Sequence, residues 1–161
     1  MARELNLETI QLVKHFEGLY LEAYKCEAGI WTIGYGHTGV KHNDGSVKAG
    51  DKISTLQAED LLRFDLKVFA DGVEKLLLSR PQAELNDCQF GALVSFAFNC
   101  GLGALERSTL LRRVNARDYA NAPAAFLMWN KAGGKTLKGL TRRRQSEANL
   151  FCSFPNFIVL P

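Results

Sequence analysis

The stretch from Asp87 to Asn99 constrains the fold more than any other part of the chain, because nearly all of its side chains are apolar. A helix that is apolar on every side must be surrounded by other protein elements or by lipid. The stretch is shorter than the about 18 uninterrupted apolar residues needed to span a bilayer, and Gly91 and Ser95 interrupt it. The pattern therefore predicts a buried helix that ends at Gly101, enclosed by other elements.

A first helix is predicted from about Leu7 to Glu17, with Asn6 as a suitable N-cap and Gly18 as a suitable C-terminal stop. Glu17 shares a face of this helix with two aliphatic residues, Ile10 and Val13. A carboxylate in line with aliphatic side chains is unusual on a helix. Glu17 is therefore a candidate functional residue.

A small antiparallel sheet is predicted from Leu21 to Tyr35, a stretch that is rich in aromatic and β-branched residues and is broken at residues 27–29. A turn at residues 43–46 is expected to lead into a short strand around Val47, so that the sheet ends near Gly50.

Further helices follow the sheet. Ser54 and Gln57 match a capping box, and apolar residues at helical spacing extend from there to about Leu78, before Pro81. Gly72 lies inside this long helix and weakens the expectation that it is continuous. Three shorter helices are predicted, at Thr109 to Asn115 after Ser108, at about Tyr119 to Trp129, and at about Leu140 to Cys152.

Composition limits the class of protein. The 161 residues suit one domain, and 47% hydrophobic with 23% charged residues is typical of an ordinary folded domain. The four cysteines are too sparse for a disulfide framework; Cys88 and Cys100 would lie about 18 Å apart along one helix, so free thiols are expected. No cysteine or histidine spacing matches a zinc site, so we expect no metal and no cofactor. The first residues do not resemble an export signal.

A basic segment lies between Lys131 and Glu147, with six lysines or arginines and one acidic residue. It includes three consecutive arginines, Arg142, Arg143 and Arg144. The segment is expected either to bind an anionic polymer of the cell envelope or to be an ordinary solvated helix face. Nucleic acid ranks low, because aromatic interleaving and a nucleic-acid-binding module are both missing from the sequence.

The densest chemical signal extends from Glu17 to Thr38, where an acid at a helix end precedes a glycine-rich sheet with a thiol, hydroxyls and aromatic rings. Such residues line polar clefts. A carboxyl at the C-terminal end of a helix faces the negative end of the helix dipole, which favours its protonated form and suits it to donate a proton. The alternative is an ordinary glutamate of a last helical turn in water.

This arrangement resembles the phage-type lysozyme family, whose site is a Glu, an Asp or Cys nine residues later, and a Thr six residues beyond that. Those positions hold Glu17, Cys26 and Thr32. The resemblance continues through four further blocks and spans most of the chain: residues 31–37, 96–101, 108–111 and 129–144.

The resemblance implies an α+β, lysozyme-like fold in a single domain of residues 1–161. Its small N-terminal lobe with an antiparallel sheet would cover about residues 12–54, and a connecting helix about 55–78. A mainly helical lobe would cover 79–161, with the first helix packed on it.

The implied activity is that of an endolysin, a muramidase that cuts the β-1,4 bond between N-acetylmuramic acid and N-acetylglucosamine in bacterial peptidoglycan and so lyses the cell. Glu17 would protonate the leaving oxygen, while Cys26 and Thr32 would act near the anomeric carbon and the attacking water. Thr38, Phe98 and Ser108 match substrate-binding positions, although Phe98 could be a core residue and Ser108 an N-cap.

The resemblance also implies a monomer of phage or prophage origin, held in the host cytoplasm until a separate holin releases it to the cell wall.

Most glycoside hydrolases use a pair of carboxyl groups, and Cys26 stands where the second carboxylate of such a pair would be expected. A thiol with an ordinary pKa of about 8.5 is only slightly ionised at neutral pH, so it is a poorer anion than aspartate. Without a second carboxylate, the sequence leaves open whether the reaction inverts or retains configuration.

Two alternatives to a muramidase remain open. Cys26 and His37 could form the dyad of a cysteine peptidase or amidase acting on wall peptide, although His37 is expected instead to pair with a carboxylate of the helical lobe. The chain could also be an inactive wall-binding module.

Overall fold

The computed structural model describes residues 3–39, 47–77 and 85–154. The turn predicted at residues 43–46 and the helix stop predicted at Pro81 lie outside these ranges. The described residues form two compact units, one made of residues 13–68 and one made of residues up to 12 together with those from 69 onward. The boundaries fall inside helices α1 (Leu7–Glu17) and α2 (Thr55–Leu76).

Helix α1 begins and ends where the sequence predicts. The Asn6 side chain accepts a hydrogen bond from the Thr9 backbone N–H at 3.1 Å, which caps the first turn. At the other end, Gly18 has φ +72 and donates its N–H to the Lys14 carbonyl at 3.1 Å. This left-handed conformation suits glycine and ends the helix directly after Glu17.

The sheet of residues 13–68 is an antiparallel pair, β1 (Tyr20–Lys25) and β2 (Trp31–Gly34). The strand expected around Val47 is wrong. Residues 51–53 pair with β1 instead: Ala23 donates to the Asp51 carbonyl at 2.9 Å, and Ile53 to the Leu21 carbonyl at 3.0 Å.

A turn explains this displacement of the third strand. The Asp51 side chain accepts a hydrogen bond from the Lys48 N–H at 2.7 Å, and Gly50 has φ +85. These features fold residues 48–51 into a turn, so extended pairing begins only at its end. The sheet therefore continues past Gly50 to Ile53.

Helix α2 confirms the predicted capping box and is continuous through Gly72. Gln57 donates its backbone N–H to the Ser54 hydroxyl at 3.1 Å, and its side chain accepts from the Ser54 N–H at 2.8 Å. A Cβ at position 72 would lie 2.4 Å from a methyl carbon of Leu102. Glycine is therefore present for close packing and does not mark a break.

Helix α3 (Asp87–Cys100) is the buried helix that its apolar sequence predicts: every residue from Phe90 to Phe98 is buried. Asn86 and Gln89 form a full capping box at its start, and Gly101 follows its last residue. The Phe96 ring makes edge-to-face contacts with Phe126 and Trp129, at centroid distances of 6.0 and 5.7 Å.

Packing around α3 explains one of its glycines. A Cβ at Gly91 would lie 1.8 Å from the Thr9 hydroxyl oxygen, so α1 crosses at a distance that only glycine permits. Across the ranges that the structure describes, no helix has both the length and the apolar character to cross a bilayer.

The remaining elements are mostly short: α4 (Leu102–Glu106), α5 (Thr109–Asn115), α6 (Ala122–Phe126), a 3₁₀ turn (Leu127–Trp129), β3 (Lys131–Ala132), β4 (Lys135–Thr136) and α7 (Lys138–Phe151). Helix α5 has the predicted bounds, whereas α6 begins at Ala122 and not near Tyr119. Arg117 at φ +60 lies in the turn that delays it. Helix α4 and the β3–β4 hairpin were not predicted.

Helix α7 corrects the expectation for two of its arginines, Arg143 and Arg144, which belong neither to a solvated face nor to a surface that an anionic polymer could contact. Arg143 and Arg144 are buried, and both form ion pairs with the fully buried Glu147. Of the three consecutive arginines, Arg142 alone is exposed. The charges of Arg143 and Arg144 are therefore paired inside the protein, because Glu147 lies one helical turn further along α7.

Candidate active site

Glu17 is the last residue of α1 and is half-buried. Its carboxylate lies against the turn that follows β2: a Cβ at Gly36 would be 3.1 Å from the Glu17 carboxylate oxygen Oε2. Lys14 Nζ and Glu59 Oε1 form an ion pair at 2.6 Å, which connects this end of α1 to α2. The structure thus holds the predicted acid against the backbone of a glycine turn.

The glycine turn is held by His37. The backbones of Ile33 and His37 exchange two hydrogen bonds, of 3.0 and 2.9 Å, and so close the loop that contains Gly36. The His37 imidazole Nδ1 lies 3.0 Å from a carboxylate oxygen of Asp65, and both side chains are almost wholly buried. His37 therefore pairs with a carboxylate as expected, although Asp65 belongs to the long helix α2 and not to the later helices.

Cys26 follows β1 and opens the turn to β2. Its backbone N–H donates to the Ile30 carbonyl at 3.0 Å, and its carbonyl accepts from the Gly29 N–H at 2.8 Å. The Thr32 hydroxyl donates to the same Ile30 carbonyl at 3.0 Å. Cys26 and Thr32 are thereby brought together at one end of the sheet.

The pKa of the Cys26 thiol is lowered from its ordinary value. The largest cause is hydrogen bonding from the Ile30 backbone; burial, the second-largest cause, opposes it, and smaller hydrogen-bond contributions from the Ala28 backbone and the Thr32 hydroxyl lower the pKa further. Donors directed at sulfur stabilise the thiolate. The weakness of Cys26 as an anion, expected from an unperturbed thiol, is therefore reduced by the turn that carries it.

Tyr24 is a site residue that sequence reasoning missed. It stands directly opposite Thr32 in the register of β1 and β2. Partial burial raises the pKa of its phenol, and the charges of Tyr20, Glu17 and Cys26 raise it further. Tyr24 thus lies within electrostatic reach of both Glu17 and Cys26. The hairpin pattern contained the signal, because pairing across it places Tyr24 next to Thr32.

The three expected substrate-binding residues lie apart in the chain. Thr38 is half-buried and follows His37 in the unit of residues 13–68. Phe98 is buried in the other unit, where its ring meets Phe69 edge-to-face at 5.3 Å. Ser108 caps α5: its hydroxyl donates to the Leu105 carbonyl at 2.6 Å and accepts from the Leu111 N–H at 3.0 Å. Their role in binding remains a prediction.

The phage lysozyme family matches this sequence from residue 14 to residue 147. The chain belongs to the phage lysozyme family. The matched segment contains Glu17, Cys26 and Thr32 as well as the whole of α2 and α3.

Similar proteins support membership of the phage lysozyme family. An endolysin of Bacillus phage B103 is 48% identical over 88% of this chain, and an endolysin structure from Escherichia coli O157:H7 phage FAHEc1 is 38% identical with a TM-score of 0.81. The latter match covers 94% of this chain and 95% of the other. The muramidase domain of SpmX from Asticaccaulis excentricus is 37% identical, with a TM-score of 0.81 and coverage of 94% and 99%.

These similarities confirm the lysozyme-like α+β fold. The chain spans about half the length of the Bacillus phage endolysins that it matches, 51% and 55%.

Proposed function

We propose that this chain is a muramidase of the endolysin type, which hydrolyses the β-1,4 bond between N-acetylmuramic acid and N-acetylglucosamine in peptidoglycan. The observation that carries the proposal is the placement of the Glu17 carboxylate against Gly36, in the turn that follows β2. The sheet of β1 and β2 also brings Cys26 and Thr32 together. The family membership and the muramidase domain of similar structure support it.

Glu17 acts as the general acid. It is half-buried at the end of α1, and its Oε2 atom faces a position that carries no side chain. The missing side chain at Gly36 lets the backbone of the turn pack directly against the carboxyl and hold it in position. Protonation of the leaving oxygen by a held carboxyl is the usual first requirement of glycoside hydrolysis.

Cys26 and Thr32 act on the other reactant, water. The thiolate that the Ile30 backbone stabilises is a base or a nucleophile, and the Thr32 hydroxyl orients the attacking water. The Thr32 hydroxyl has one proton and two acceptors within reach, the Ile30 carbonyl and the Cys26 sulfur. Ionisation of Cys26 attracts that proton to sulfur and turns the oxygen lone pairs of Thr32 toward other donors.

The test is release of reducing sugar ends from purified peptidoglycan. Glu17→Gln is expected to lower kcat by about 10²- to 10⁴-fold, which is the usual contribution of a general acid. Glu22→Gln is the matched control, because Glu22 is an exposed glutamate of β1. Near wild-type activity in Glu17→Gln would overturn the assignment. Release of free amino groups in place of reducing ends would instead favour a peptidase or amidase that uses Cys26 and His37.

Cys26 is tested by two substitutions. Cys26→Ala is expected to lower kcat strongly, whereas Cys26→Asp supplies a carboxylate and retains a large part of it. Unchanged kcat in Cys26→Ala would remove Cys26 from the mechanism.

Peptidoglycan is the proposed substrate, and a separate holin is proposed to admit the enzyme to it. Some relatives are described as SAR-endolysins, including one from Bacteriophage PS119 that is 33% identical over 83% of this chain.

We propose the monomer as the active form. Arg142 is the member of the arginine run that an anionic envelope polymer could reach, because it is exposed.

A further inference from the structure

Two tyrosines of β1 stack on each other beside the catalytic residues. The ring centroids of Tyr20 and Tyr24 are 4.3 Å apart with an angle of 37° between the planes. In a regular strand, residues four apart are separated by about 13 Å, which is too far for such a contact. The stack therefore needs a departure from regular strand geometry.

That departure is an irregularity in the pairing of β1 with β2. Tyr20 pairs with Gly34 and Tyr24 pairs with Thr32, so four steps along β1 correspond to only two along β2. The extra residues bulge between the two tyrosines and draw their rings together. Bulges are frequent beside active sites, where they redirect side chains.

The outer ring of the stack is open to solvent. Tyr20 is 48% exposed, and its neighbour on one side is Gly18, where a Cβ would be 3.6 Å from the ring carbon Cε2. The inner ring, Tyr24, lies within electrostatic reach of Glu17 and Cys26. An exposed aromatic surface thus leads from solvent to the reacting groups.

We propose that the Tyr20–Tyr24 pair is a glycan platform, on which an N-acetylhexosamine ring of the substrate stacks next to the bond that is cut. A pyranose ring presents a face of C–H groups, and tyrosine offers a broad apolar ring together with a polar hydroxyl. The platform continues the catalytic site, which favours a sugar of the same glycan over an unrelated ligand. The inference rests on the proposed muramidase function.

Kinetics on purified peptidoglycan test the platform. Tyr20→Ala is expected to raise KM about 2- to 12-fold, the equivalent of about 0.5–1.5 kcal/mol for an aromatic contact, with kcat within two-fold of wild type. Tyr20→Phe keeps the ring and is expected to restore KM. Leu21→Ala is the matched control, because Leu21 is the next residue of β1 and is 40% exposed. An unchanged KM in Tyr20→Ala, or the same rise in Leu21→Ala, would overturn the platform.

Binding separates this inference from the proposed activity. Calorimetry with a chitin tetrasaccharide is performed on Glu17→Gln and on Glu17→Gln combined with Tyr20→Ala. Weaker binding by the double variant supports the platform, whatever the outcome of the activity assay. If the wild type releases no reducing ends, only the muramidase proposal is refuted. Equal affinity of the two variants refutes the platform. Thermal melting within about 2 °C for all variants, less than about 1 kcal/mol for a chain of this size, excludes loss of fold as the cause.

Discussion

Glu147 offers the most direct test of how the helical unit is stabilised. Its carboxylate receives hydrogen bonds from the Ser95 hydroxyl at 2.8 Å and from Arg144 Nη2 at 3.0 Å, and Arg144 Nε lies 2.7 Å from its second oxygen. Arg143 Nε adds a contact at 3.3 Å. Glu147 and Arg144 are both fully buried. Glu147→Ala therefore removes the central anion between two buried guanidinium groups.

The expected loss is about 3–5 kcal/mol in the free energy of unfolding, because removing one partner of a buried pair leaves the opposite charge without its compensation. For a chain of 161 residues this corresponds to a fall in Tm of about 6–20 °C. Urea denaturation followed by circular dichroism measures the free energy. Glu106→Ala is the control: Glu106 is an exposed glutamate of α4, and its loss is expected to cost less than about 0.5 kcal/mol.

A triple variant separates the value of the ion pairs from the penalty of breaking them. Replacement of the cluster by apolar residues, as Arg143→Leu, Arg144→Met and Glu147→Leu together, is expected to be near neutral because all the buried charges leave at once. The reasoning is refuted if Glu147→Ala loses less than about 1 kcal/mol, or if the triple variant loses as much as the single one.

Three further predictions concern the unit that carries the proposed catalytic residues. Gly36→Ala places a methyl group against Glu17, the proposed general acid, and is expected to lower kcat by about 10- to 100-fold. Gly50→Ala, at the same φ of +85 but with no atom within 4 Å of the added Cβ, should leave kcat unchanged in the same reducing-end assay, and equal losses would contradict the steric argument. His37→Ala removes the imidazole bonded to the buried Asp65 and is expected to cost about 1–3 kcal/mol in urea denaturation; a cost below about 0.5 kcal/mol would contradict it. Because the thiol pKa of Cys26 is lowered, the ratio of wild-type to Cys26→Asp activity should rise with pH and level off below the ordinary thiol value, since both enzymes share the same proposed general acid and only the thiol has still to ionise. Superimposable pH profiles would exclude the thiolate as the active form.

Local signals were sufficient for most helices. Capping boxes at Ser54 and Asn86, a glycine after Glu17 and an apolar run in α3 each act within a few residues, so the chain displays them directly. The proposed catalytic residues were also identified from local spacing. Glu17, Cys26 and Thr32 stand at the intervals of nine and six residues that the family resemblance implies, and their catalytic roles remain predictions.

Features that depend on pairing between segments were not readable in the same way. The third segment of the sheet pairs at residues 51–53 because Asp51 closes a turn first, and hydrophobic patterning does not encode that offset. The bulge that joins Tyr20 to Tyr24 has the same origin in register. The β3–β4 hairpin did have a local signal, two consecutive glycines with positive φ at residues 133 and 134.

The arginines of α7 show why charge counting failed there. Glu147 stands three and four residues after Arg144 and Arg143, so ion pairing along the helix was visible in the sequence. Its burial was not, since the remaining partners belong to α3: Ser95 binds Glu147, and Asn99 accepts from Arg144 Nη2 at 2.8 Å. Polar residues on a second helix decide whether such a charge lies in solvent or in the core.

The proposed roles of Cys26 and Thr32 in activating water have a physical basis that residue types alone do not supply. A thiol in place of a carboxylate needs donors that favour its anion, and the tight turn after β1 directs the Ile30 and Ala28 backbones at the Cys26 sulfur. The same turn also holds Thr32, because its hydroxyl donates to the Ile30 carbonyl while Cys26 is neutral. One backbone segment therefore both lowers the pKa of the Cys26 thiol and positions the Thr32 hydroxyl. A substitution that loosens the turn should weaken both effects together, whereas Cys26→Asp should depend on the turn only through Thr32.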